Sequence, residues 1–129
     1  MSFGSKHLGQ PTDAERHRMA MIKARGCICC HKVGRYTPAE AHHLLDGSST
    51  IGHRFTIALC IWHHRGRTMH GLSHAELRIT YGPSLAEGSK PFHAAYGNDR
   101  QLLEFQDKFV GCQPAVWPPS KIVPRLGIV

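Results

Sequence analysis

The chain has 129 residues, with 16 Lys plus Arg against 9 Asp plus Glu, a formal net charge of +7 and 11 histidines. That length predicts a single domain, a hydrophobic content of 41% excludes general disorder, and the lack of a run of about 18 apolar residues excludes a transmembrane helix. The positive balance favours polyanionic partners, nucleic acid first, and the histidine count asks for a chemical explanation.

In chain order, residues 1–14 read as a flexible basic arm. The first residues hold no apolar core of signal-peptide length, which predicts a cytoplasmic, reducing compartment. A short helix is predicted over Ala14–Ala24, capped by Asp13 and ended by Gly26. A metal-knuckle turn and a basic stretch with Lys32 and Arg35 follow. Pro38–Leu45 reads as a strand, Asp46-Gly47-Ser48-Ser49 as a turn, and Phe55–Leu59 as a second strand. From Ile61 the pattern turns helical, with Gly66 obscuring the end. Residues 71–97 read as loops with short helical pieces, and Arg100–Val110 as a helix capped by Asn98 or Asp99. Residues 113–129 form a Pro-rich tail, expected to pack on the body through Val116, Trp117, Ile122 and Val123. The resulting domain spans 15–112, with its core at about 25–75.

The five cysteines are an odd number, and three of them fall within Cys27–Cys30. In a reducing compartment such a cluster points to metal or redox chemistry rather than a disulfide framework. Cys27-x-x-Cys30-His31 also fits the c-type haem attachment signature, against which the lack of an export signal counts. Cys27-x-x-Cys30 and Cys60-x-x-His63 each place two ligands on a tight turn, and together they supply a Cys3His tetrahedron for a structural zinc. The 29 intervening residues must hold structure of their own. His42-His43 and His63-His64 then supply an excess of imidazoles. Neighbours on a helix point about 100° apart and neighbours on a strand to opposite faces. A hairpin feeding a helix can therefore set one histidine from each pair on a second ion, with the remaining strand histidine beside it as a base.

At these residues the sequence resembles the HNH (His-Me finger) nucleases, whose ββα-metal core carries such elements. More narrowly, Cys27-x-x-Cys30, Ala41-His42-His43-Leu44-Leu45, the stretch Phe55–Gly66, and Gly88–Phe92 with Tyr96-Gly97 resemble the phage recombination enhancement function (Ref) family of RecA-dependent, DNA-cleaving HNH nucleases. The resemblance covers about residues 25–110. It implies a small α+β fold in which a ββα-metal core carries a zinc knuckle, flanking helices and a loop-rich C-terminal extension. It implies His43 as the general base, with His42, His64 and His70 as ligands of a catalytic divalent ion (magnesium, manganese or zinc). His70 lies farther from His64 than the His-x-x-x-His of the colicin nucleases, with Gly66 between them. The central Asn of the HNH pattern has no match near Phe55 or Thr56, and His53 or a backbone group would position the base instead. Imidazole ligands by themselves favour a transition metal, whereas magnesium prefers oxygen.

Lys32, Arg35, Arg54, Arg65 and Arg67, with Arg78, surround the constellation and are expected to hold the phosphate backbone of single- or double-stranded DNA with weak sequence preference. A RecA-type recombinase filament and a phage origin are implied by the resemblance alone, and no membrane partner is expected. Two other classes remain open on the sequence: a non-catalytic zinc-dependent nucleic-acid-binding accessory protein, and a redox protein using Cys27 and Cys30.

Overall fold

Thr12, not Asp13, starts the first helix. Its hydroxyl accepts from the Glu15 amide while the Glu15 carboxylate accepts from the Thr12 amide, and this closed box launches α1 over Asp13–Arg25. The structure is a computed structural model, in which residues 9–47, 49–112, 114, 115 and 117 are described. Most of the predicted arm and tail, including Val116, Ile122 and Val123, lies outside them. Trp117 is described, and it meets Phe55 edge to face at 6.0 Å.

The fold is a small α+β arrangement. A four-residue helix α2 (Ile28–His31) occupies the cysteine turn. Strand β1 (Glu40–His43) pairs antiparallel with β4 (Thr56–Leu59), setting His42 opposite Ile57 and His43 opposite Thr56. The predicted long strand breaks at the buried Leu44. Beyond it, β2 (Leu45–Asp46) and β3 (Ser49–Thr50) pair around the predicted turn as a separate two-stranded sheet. Between β3 and β4 a tight turn, closed by the Phe55 amide on the Gly52 carbonyl at 3.1 Å, carries His53.

Every residue of β4 is buried: Ile57 and Leu59 join Ile28, Leu44, Trp62, Leu77, Phe92, Leu102 and Leu103 in the core, while Ala58 packs with Ile22 and Val110. One edge of β4 pairs with β1. On the other, Gln106 stands in for a strand: its Oε1 accepts from the Ala58 amide at 2.7 Å and its Nε2 donates to the Thr56 carbonyl at 3.0 Å. Arg18 of α1 donates to the same carbonyl at 3.1 Å and pairs with Asp107 at 2.9 Å, both side chains buried.

Cys60 caps the next helix, and α3 (Ile61–Arg65) ends at Gly66, whose left-handed φ of 69° suits glycine. The predicted loop region 71–97 is more regular than expected. It holds α4 (His74–Tyr81) and a 3-10 turn (Leu85–Glu87), launched by further capping boxes of Ser73 with Glu76 and Ser84 with Glu87, and then α5 (Ser89–Tyr96), which follows Gly88 without a side-chain cap. Asn98 caps α6 (Asp99–Val110). No helix among the described residues is long and apolar enough to cross a membrane.

Candidate metal centre and histidine cluster

Cys27 and Cys60 stand at the N-termini of α2 and α3, and each helix turn brings a second donor back beside the first. The Cys60 thiol accepts from the His63 amide at 3.4 Å, which fixes the Cys-x-x-His turn. The ligand atoms of Cys27, Cys30, Cys60 and His63 all lie within 4.8 Å of one another, and all four residues are buried. His63 Nδ1 lies 3.4, 3.6 and 3.3 Å from the sulfurs of Cys27, Cys30 and Cys60, and the Cys30 and Cys60 sulfurs are 4.0 Å apart. Ideal zinc bonds predict tetrahedral edges of about 3.6 Å for N···S and about 3.8 Å for S···S. The donor set therefore fits one zinc-sized ion. Four gathered ligands also distinguish this site from a two-cysteine redox pair.

Electrostatics agree. Burial pushes the Cys27 thiol up, hydrogen bonds to Cys27 and Cys60 push Cys30 up, and hydrogen bonds from Cys27 and Cys30 push Cys60 down. Burial lowers His63, but its contacts with Cys30 and Cys60 outweigh that and raise it to about 9. Buried sulfurs that cannot each ionise beside one another call for a shared cation. The outer ring nitrogen of His63 is held from behind, donating to the Tyr81 carbonyl at 2.8 Å with the Tyr96 hydroxyl at 3.0 Å, and this leaves Nδ1 toward the sulfurs.

A second cluster forms where the β1–β4 hairpin runs into α3. Glu40 and His42, two residues apart on β1, share a face. The His42 ring meets the His64 ring at 5.0 Å, nearly edge to face. Glu40 Oε1 accepts from His64 Nδ1 and from Arg65 Nε, each at 2.8 Å. Those two contacts outweigh desolvation and keep the Glu40 carboxyl below its usual range. Burial first, then the nearby His64 charge, lowers His42 to about 4, so its imidazole is neutral at pH 7.

His43 points away from that face. His53 Nε2–H donates to the Gly9 carbonyl at 3.0 Å, which leaves His53 Nδ1 to accept from His43 Nε2–H at 3.1 Å. Burial, and then the His53 charge, hold His43 below the ordinary histidine value.

His70 does not complete the His42–His64 pair. Gly66 stops α3, and the exposed His70, with φ of 58°, lies by the Tyr81 ring at 5.9 Å. Among the described residues, no third His, Cys, Asp or Glu ligand atom closes into a compact group with those of His42 and His64.

Of the expected phosphate-binding cations, Arg65 is tied to Glu40, Lys32 lies 4.6 Å over the Phe105 ring, and Arg35 donates to the Thr80 carbonyl at 2.9 Å. Arg54 and Arg67 are exposed, and Arg78 is paired with Glu87. Three residues near the histidines carry no predicted role in the site: Glu40, His93 and Asp99. His93 Nε2 and Asp99 Oδ1 are 2.8 Å apart, and both groups act electrostatically on His42. The i−2 position on a strand ending in two histidines was a readable signal for Glu40. Nothing local signals the other two.

A family model described as recombination enhancement, RecA-dependent nuclease matches residues 11–111. No curated protein matches the chain.

Proposed function

The chain belongs to the recombination enhancement, RecA-dependent nuclease family, and on that premise we propose that it is a metal-dependent DNA endonuclease of the HNH type, with residues 15–112 as the nuclease domain. The observation that carries this reading is the convergence of His42 and His64 at 5.0 Å where a β-hairpin runs directly into a helix. A pure binding module has no need of two imidazoles held together in that way.

His43 takes the proton of the attacking water. Its Nε2–H is engaged by His53, so the lone pair on Nδ1 is the one available to accept. His53 fills the positioning role of the central Asn in the HNH pattern, by accepting a hydrogen bond from the base. Depression of the His43 pKa keeps the base unprotonated at neutral pH.

His42 and His64 would hold the catalytic ion, whether magnesium, manganese or zinc. Glu40 engages His64 Nδ1, which leaves Nε2 as the donor. When bound, a divalent ion supplies charge neutralisation at the phosphate and the leaving oxygen. His70 would join only if the segment after Gly66 moved inward. Cys27, Cys30, Cys60 and His63 hold structural zinc, and the exposed cations Lys32, Arg35, Arg54 and Arg67 contact the DNA backbone.

Plasmid nicking tests the assignment, with magnesium, manganese or zinc added. Removing a general base costs about 10²- to 10⁴-fold, so His43→Ala should fall by that factor with its zinc content unchanged. A folded, zinc-loaded His43→Ala chain that nicks like the unaltered one would refute the base. Adding a RecA-type filament to a single-stranded substrate tests the partner that the family name specifies.

A further inference from the structure

Between the end of α1, the turn after α2 and the last turns of α6 lies a cleft of about 400 Å³ that contains none of the catalytic histidines. Arg25, His31, Arg35, Tyr36 and Phe109 line it, and none of its lining residues is acidic. Tyr36 is 67% exposed, yet its ring is braced on the backbone. A Cβ at Gly26, where φ is +91°, would come within 2.8 Å of that ring. A large ring held in place and left uncovered marks a contact surface.

The cations around it are positioned by ring faces. Arg25 lies 5.2 Å over Phe109, on which His31 stacks at 3.5 Å. Lys32 lies 4.6 Å over Phe105, and Arg35 lies 4.5 Å over Tyr81. Among the described residues, Arg25, Lys32 and Arg35 form no ion pair with a carboxylate. Their charge is therefore fixed in space and uncompensated.

Interleaved cations and flat rings match single-stranded nucleic acid, whose phosphates meet the cations and whose unpaired bases stack on the rings. A duplex buries its base faces and offers these rings nothing. We propose that this cleft is a docking site for single-stranded nucleic acid, with Tyr36 as the stacking platform and Arg25 and Arg35 on the phosphates. The proposal rests on the nuclease reading and adds a substrate class to it. Asp99, within electrostatic reach of His42, and Phe109 lie ten residues apart on α6, which is about 15 Å along the helix axis. One strand can thus be gripped at the cleft while another part of it meets the histidines.

The test is fluorescence anisotropy of the full chain carrying His43→Ala, with a labelled oligothymidylate and with a duplex of equal length. Adding Tyr36→Ala should weaken oligothymidylate binding roughly 5- to 100-fold while duplex binding stays within about twofold, and Tyr36→Phe should restore the loss. Arg35→Ala should weaken binding and flatten its salt dependence. The proposal is overturned if Tyr36→Ala binds oligothymidylate normally, or loses both ligands equally. It is also overturned if the sole defect is capture of a recombinase filament, since the face would then be a protein interface. Anisotropy requires no cleavage, so this result stands or falls whether or not the intact chain nicks DNA.

Discussion

His43, His53 and the Gly9 carbonyl form a chain of hydrogen bonds in which each ring has one nitrogen engaged by the next partner. Replacing His53 with Ala frees the His43 ring to turn, and a small misplacement of a reacting group costs on the order of 10- to 100-fold in rate. His53→Ala should therefore lower kcat by that amount, and His53→Asn, which still accepts a hydrogen bond, should recover most of it; kcat followed across pH separates lost positioning from lost folding. Glu40→Gln should weaken ion binding by about 10- to 100-fold, read by calorimetric titration with manganese, because the carboxylate that orients His64 is gone. His42 also carries a pH signature. Its folded value, about 4, lies below the ordinary 6.5, so the unfolded chain binds the extra proton first. Its contribution to stability is complete above pH 6.5 and declines as pH falls toward 4. Urea unfolding at several pH values should show that decline, and His42→Gln should reduce it.

At the scale of elements, β4 is stitched on one edge by β1 and on the other by side chains of α1 and α6. Breaking a buried ion pair by removing one partner costs about 3–5 kcal/mol, so Asp107→Ala, which strands the Arg18 guanidinium, should lower unfolding free energy by that amount in denaturant titrations. Elements whose signals are local were legible in the sequence. Cys-x-x-Cys and Cys-x-x-His each fold onto themselves, the Asp46–Ser49 turn is built from turn formers, and Asn98 announces α6. What escaped depends on distant contacts or on caps passed over. The strand breaks at Leu44 because that side chain is drawn into the core. Within 71–97, α4 and the 3-10 turn begin at Ser73 and Ser84, whose partners three residues later complete their caps. In the site, the four buried donors were readable from spacing, and Glu40 from its strand position. His93 and Asp99 approach His42 only through the packing of the C-terminal half, and no short-range pattern encodes that.

Across the whole molecule, the Cys3His centre joins the segment before β1 to the start of α3, so the hairpin is closed at its base by four side chains. Structural zinc contributes on the order of 10 kcal/mol in small domains. We expect one tightly held zinc per chain by native mass spectrometry, and loss of far-ultraviolet circular dichroism when a strong chelator removes it; Cys60→Ser should reproduce the unfolding. His63 and His64 are consecutive on a helix of five residues, so the knuckle and the proposed cutting face share a single peptide bond. On the proposed reading, the first metal builds the platform on which His42 and His64 would hold the second. If the chain cuts DNA as proposed, a cell short of zinc would make the polypeptide but not the scissors, and DNA breakage would be rationed by nutrient supply with no dedicated inhibitor.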